Sequence, residues 1–198
     1  VLPFPGTPYI NNLDWVLSLN TPRFRGFSAG GFWLFGRDEN FFEWSPADIH
    51  IVDFSLDFRP TERIRLEGRY QLQKYDRRTD GTTVGSRQLP RLKLEYQVTR
   101  SIFLRAVGEL DLRRQDDLRD DSRTELPVLI EDPATGVFEP ALGSRDRGLH
   151  LELLFSYQPR PGTVLFLGYN SQLADPASQG LHRASDVFFV KLSYLFRM

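Results

Sequence analysis

The sequence predicts an all-β fold, an antiparallel up-and-down β-barrel of about nine strands, from three observations. Apolar and polar residues alternate with a period of two in segment after segment, and only a strand sorts side chains that way. No segment sustains a helical period. Connections alternate between short turns and long loops, the asymmetry of hairpins that open toward opposite ends of one barrel.

Val1 to Asn12 carries prolines, a glycine and an Asn pair, so residues 1–12 form an irregular lead-in and residues 13–198 the barrel domain. In the first strand, Leu13, Trp15, Leu17 and Leu19 alternate with Asp14, Val16, Ser18 and Asn20. Thr21 to Phe24 turns the chain into a strand from Arg25 to Phe35, where Phe27, Ala29, Gly31, Trp33 and Phe35 share the more apolar side. A loop, Gly36 to Ala47, leads to a third strand, Ile49 to Phe58, in which Val52, Phe54, Leu56 and Phe58 oppose Asp53, Ser55 and Asp57. After the turn Arg59 to Arg63, the strand Ile64 to Tyr75 sets Ile64, Leu66, Gly68, Tyr70 and Leu72 against Arg65, Glu67, Arg69, Gln71 and Gln73.

A loop from Asp76 to Gln88 precedes the fifth strand, where Leu92, Leu94, Tyr96 and Val98 alternate with Arg91, Lys93, Glu95 and Gln97. Thr99 to Ser101 reverses the chain into a sixth, with Ile102, Leu104, Ala106, Gly108, Leu110 and Leu112 on one side. Gln115 to Asp146 is the longest irregular stretch, and so long a loop in a compact domain implies a functional reason. The strands Gly148 to Gln158 and Thr163 to Gln172 are joined by a proline turn, and Leu173 to Ser185 is the last loop. In the closing strand, Asp186 to Met198, Phe188, Val190, Leu192, Tyr194, Phe196 and Met198 form one apolar face, with Lys191 and Arg197 on the other.

The chain is 198 residues long, and with 25 Lys+Arg against 26 Asp+Glu its net charge of −1 leaves no field to favour nucleic acid. The absence of cysteine excludes a disulfide framework and a thiolate metal site. The longest apolar runs fall far short of the roughly 20 residues of a membrane-spanning helix, whereas a membrane strand needs only about 9–11. Alternation keeps the average hydropathy of such strands low, and the mean hydropathy here is −0.36.

Alternation alone fits a soluble barrel or sandwich as well as a barrel turned inside out for lipid. Two features favour the inverted form: the apolar face is nearly uninterrupted, and Phe58, Tyr96, Tyr157, Tyr194 and Phe196 all fall near one rim, where aromatics form an interfacial belt. The expectation is therefore an outer-membrane-type barrel in a bacterial outer membrane. Membrane lipid is its first partner, and the barrel-assembly machinery engages it through the C-terminal strand. Because such barrels have an even number of strands, an odd count marks the C-terminal part of a larger barrel. The sequence begins at Val1 with neither an initiator Met nor a signal-peptide pattern, so the missing partner strands are expected upstream.

Several stretches carry a family resemblance: Arg23 to Trp44, Asp76 to Val84, Pro90 to Glu109, Leu118 to Ile130, Phe155 to Asn170, and the closing FFVKLSYLFR. They are similar to a group of large bacterial proteins that combine an N-terminal carbohydrate-binding-like domain of the family 9 type with a C-terminal β-rich domain of unknown function. The resemblance implies an envelope-located barrel domain and supplies no active site.

Candidate sites follow from the same parity. The face expected to line the lumen carries Arg65, Glu67, Arg69, Arg91, Lys93, Glu95, Arg105, Glu109, Asp111, His150, Glu152 and Lys191. Its balanced signs predict cross-strand ion pairs that brace the wall, or a polar lumen with little charge preference. Phe41, Phe42 and Trp44 are candidates for binding, since exposed aromatics stack on sugars or enter the lipid boundary; packing over the barrel mouth is the competing reading. His150 with Glu152, and His182 with Ser185 and Asp186, resemble fragments of catalytic sets, yet neither has a complete constellation. Asp116, Asp117, Asp120 and Asp121 lack EF-hand spacing and read as a solvated loop, so no metal and no cofactor is expected. Two functions compete with passage or anchorage: a hydrolase with its site in the outer loops, and a soluble β-sandwich binding module.

Overall fold

The computed structural model describes residues 1–175 and 180–195. Eleven strands appear: β1 Leu13–Asn20, β2 Phe27–Asn40, β3 Ser45–Phe58, β4 Ile64–Arg77, β5 Thr83–Gln97, β6 Ile102–Gln115, β7 Leu129–Glu131, β8 Phe138–Pro140, β9 Ser144–Arg160, β10 Thr163–Asp175 and β11 His182–Tyr194. Nine of them form one sheet in the order β1-β2-β3-β4-β5-β6-β9-β10-β11, while β7 and β8 form a separate small hairpin. Every neighbouring pair in the large sheet is antiparallel, a simple meander. The sheet is open, with β1 and β11 as its edges, so the closed barrel of the sequence reading is not formed by this chain. An odd number of strands makes the two edges run the same way, and antiparallel pairing cannot join them.

Register puts like residues opposite one another. Phe54 pairs with Tyr70, Leu66 with Leu94, Leu104 with Phe155, and Leu167 with Val190, which makes one apolar face continuous from edge to edge. Among the described residues, no second layer covers it. Leu17 is 58% exposed, Leu92 58% and Leu192 70%, whereas the buried apolar side chains among the described residues are Ala47, Ile49, Val84, Val107 and Ala141. Left in water, such a face costs about 25 cal/mol per Å² of apolar surface.

Strand ends differ from the sequence reading by two residues at one rim, where β2 starts at Phe27 and β9 runs to Arg160, and by more at the other. At the rim carrying Phe58, Tyr96, Tyr157 and Tyr194, the connections are short: 21–26, 59–63, 98–101 and 161–162. Phe196 and Met198 lie outside the described residues. At the opposite rim the expected loops Gly36 to Ala47 and Asp76 to Gln88 shrink to 41–44 and 78–82, because β2, β3, β4 and β5 continue into them. Beyond the apolar band the strand ends are mostly polar with isolated apolar residues such as Ala47 and Val84, so regular alternation vanishes from the sequence although the backbone ladder goes on. The expected loop Leu173 to Ser185 likewise loses residues to β10 and β11. Only 116–143 stays long, and it carries the β7–β8 hairpin.

Candidate functional site

The polar face frames a groove of about 660 Å³, lined on β3 to β9 by Asp57, Glu67, Arg69, Arg91, Lys93, Arg105 and Glu152. By register, all the residues expected to line a lumen stand on this face, Lys191 at its β11 edge opposite Phe166. Their charges are joined across strands. Arg65 bridges Asp57 at 2.7 Å and Glu67 at 2.8 Å and approaches Glu95 at 3.7 Å, while Lys93 reaches Glu95 at 2.7 Å. Arg69 meets Asp53 at 2.6 Å, Arg91 meets Glu109 at 3.5 Å, and Asp111 holds both Arg87 and Arg113. Glu152 takes His150 Nε2 at 3.0 Å and Arg105 at 3.8 Å. The His150–Glu152 pair therefore forms within a ladder of wall-bracing pairs; no nucleophile is hydrogen-bonded to His150 among the described residues.

The aromatic turn is built from several directions. Phe41 and Trp44 meet edge-on at 6.0 Å, and Phe42 meets Tyr75 at 5.9 Å. Trp44 has a φ of 46°, a left-handed backbone that its carbonyl stabilises by accepting a hydrogen bond from Thr7 N at 2.8 Å. All three rings keep substantial exposure. They sit at the rim, half packed on the lead-in segment and the strand ends, half open.

Beside this turn lies a feature that the sequence reading missed, a buried charge cluster. Arg77 donates all five of its N–H groups: Nε and Nη2 to Glu43, Nη2 also to the Asp117 carbonyl, and Nη1 to Thr82 Oγ1 and Asp116. Glu43 in turn accepts from Asn40 Nδ2 at 3.1 Å and from the Arg119 backbone N–H at 2.9 Å. Arg119 bridges Asp121 at 2.6 Å and Asp80 at 2.7 Å, and Thr79 donates to Asp121 at 2.6 Å. The cluster fastens the start of 116–143 onto the ends of β2, β4 and β5.

This corrects the expectation of a solvated acidic loop. Asp120 and Asp121 are buried, and Asp116, Asp120 and Asp121 are each committed to an arginine, while Asp117 accepts from Gly143 N at 2.7 Å. Hydrogen bonds from Thr82 and then Arg119 hold the Asp80 carboxyl well below the usual carboxylate range, and a hydrogen bond from Arg123 lowers that of Asp120. No group of three or more metal-ligating side chains is assembled among the described residues. His182, Ser185 and Asp186 are not joined as a set: Asp186 accepts from Tyr169 and pairs with Arg183, and Ser185 bonds Gln172.

The only sequence signals for the cluster were a Glu inside an aromatic stretch and the basic run at Arg77 and Arg78. Neither reveals burial, because the bonds that bury the pair join residues as far apart as 34 and 76 positions. Comparison of the chain with protein-family models, curated proteins and solved structures finds no match.

Proposed function

We propose that this chain is part of the wall of an outer-membrane β-barrel in a bacterial envelope, with its apolar face against lipid and its polar face around the interior. It serves passage of a solute or anchorage of a larger protein. The observation that carries this reading is the apolar face that spans nine strands and is covered by nothing. From Ile64 to Leu72 it is one strand's width of the roughly 9–11 residues that cross a bilayer, bounded by Tyr96 and Phe58 at one rim and by Lys74 and Asp76 at the other. The opposite face is polar and carries cross-strand ion pairs such as Arg65–Asp57 and Arg69–Asp53, a surface suited to contact with water.

On this reading the two parallel-running edges are closed by strands supplied from the upstream part of the same protein. The test is partition of the purified chain. It is expected to resist carbonate extraction from phosphatidylcholine vesicles and to need detergent to stay dispersed. A chain that stays monodisperse in buffer without detergent and ignores the vesicles would instead be a soluble binding module.

A further inference from the structure

Two arginine pairs stand side by side on β6 and its neighbours, on opposite faces of the sheet. On the polar face Arg87 is in register with Arg113, and Asp111 sits between them, bridging one at 2.9 Å and the other at 2.7 Å. One residue further along β6, on the apolar side, Arg114 is in register with Arg145. Like charges directly opposite in a sheet repel. Here no carboxylate lies within ion-pair distance of either guanidinium among the described residues.

These arginines end a row of donors. Register aligns His50, Lys74, Ser86, Arg114 and Arg145 across five strands on the side of the apolar face. Lys74 is neutralised by Asp76 at 2.7 Å, and Asp76 is the acid of the β4 end nearest the row. Arg147, the next residue of that face along β9, stands opposite Asp175, which is buried. Arg114 and Arg145 thus stand opposite each other, both exposed, at the border of the apolar band.

Below that border the apolar face is dented. A depression of about 340 Å³ is lined by Leu56, Gly68, Leu92, Gly108, Leu110 and Leu149, where glycines alternate with leucines in register. Leu110 and Leu149 are paired in the same strands as Arg114 and Arg145, toward the middle of the band. From Gly108 to Arg114 the strand spans about 20 Å, the length of a long acyl chain.

We propose that this face holds an acylated, phosphate-bearing lipid, with its phosphate on Arg114 and Arg145 and one chain lying in the Gly68–Gly108 depression. The inference rests on the barrel reading and names the lipid that the wall selects. Guanidinium groups suit phosphate because they bind it with paired, charge-assisted hydrogen bonds. A phosphate also supplies the counter-charge that Asp111 supplies on the other face.

The test reconstitutes the full chain in phosphatidylcholine vesicles with and without phosphatidic acid, then extracts it in mild detergent for native mass spectrometry. Phosphatidic acid is expected to stay bound, and the Arg114→Gln/Arg145→Gln double variant to retain roughly tenfold less. Gly108→Leu, where a Cβ meets only Leu151 at 3.6 Å, fills the depression and is expected to lower retention with both arginines in place. Arg87→Gln/Arg113→Gln on the polar face is expected to retain lipid like the parent. Equal retention of diacylglycerol with the same chains, or undiminished retention by the Arg114/Arg145 double variant, overturns the proposal. Displacement of the lipid by inorganic phosphate at matched concentration overturns the lipid as the source of the phosphate. Carbonate extraction is read separately: a chain that enters neither vesicle removes the barrel reading itself, whereas one that enters both without selecting phosphatidic acid removes only this inference.

Discussion

Glu43 and Arg77 meet at 2.6 Å in a pair that is almost wholly buried, 34 residues apart in the chain, at the rim where the long segment 116–143 folds back. A buried pair of this kind is weak evidence of net stabilisation, since two ions must leave water, but removing one partner strands the other. Glu43→Ala leaves Arg77 with Asp116, Thr82 and the Asp117 carbonyl, and leaves its Nε–H and one Nη2–H without their carboxylate. The expected cost is about 3–5 kcal/mol, concentrated at this rim. Limited proteolysis within 116–143 should accelerate while β3 to β6 keep their hydrogen-exchange protection. Unchanged cleavage would show that the cluster does not hold the segment.

The same rim has a predictable response to acid. Asp80 and Asp120 have folded pKa values below those of the unfolded chain, so the unfolded state takes up protons first as pH falls. Their contribution is complete above the ordinary aspartate range of ~4 and is lost as pH drops through the folded values. Protection of amides in 116–143 is therefore expected to be flat near neutrality and to fall on strong acidification. Protection that rises on acidification would reverse the sign of the linkage and exclude these two carboxylates as its source.

Face-specific substitution separates lipid contact from ordinary packing. Leu94 and Leu151 stand on the apolar face, opposite Ala106 and Gly108, while Ser156 stands on the polar face opposite Phe103. Arginine at Leu151, mid-band, should cost roughly 2–4 kcal/mol in a bilayer, arginine at Leu94, one step from the Tyr96 rim, somewhat less, and arginine at Ser156 far less. Unfolding from vesicles with denaturant measures both. Equal sensitivity of the two faces would defeat the inverted arrangement.

A local prediction concerns the last hairpin. Gly168 pairs with Phe189, whose ring lies where a side chain on the glycine would go. An aromatic folded over a cross-strand glycine restores the packing that the glycine gives up. Phe189→Ala should weaken β10–β11 by about 1 kcal/mol, and Gly168→Ala should clash with the ring. Combining them is expected to cost less than the sum, measured as hydrogen exchange along β11. Strict additivity would mean the two residues do not interact.

Some of this was legible in the residues themselves. Wherever one face is apolar, as from Leu66 to Leu72 or Leu149 to Tyr157, period-two sorting locates the strand, and β1 runs from Leu13 to Asn20 as read. Asn40, Ser45 and Arg77 were placed in loops because their strands leave the apolar band before ending, so the pattern stops while pairing continues. The polar ladder was legible by sign and parity. The Glu43–Arg77 cluster was not, since burial there comes from 116–143 folding across strand ends, a long-range event with no local period. The Arg114–Arg145 pair was hidden for a related reason: each arginine looks ordinary until register places them opposite.

The shared direction of β1 and β11 sets a rule of assembly. Two copies of this chain inserted the same way up present edges that can meet only as parallel strands, so the meander cannot extend by adding copies of itself through antiparallel pairing. Any partner that closes the sheet in its own antiparallel style must bring an odd number of strands. If the chain is held in a membrane with one orientation, strand polarity guards the open edges against antiparallel polymerisation with like chains, without charge or bulk on the edge side chains.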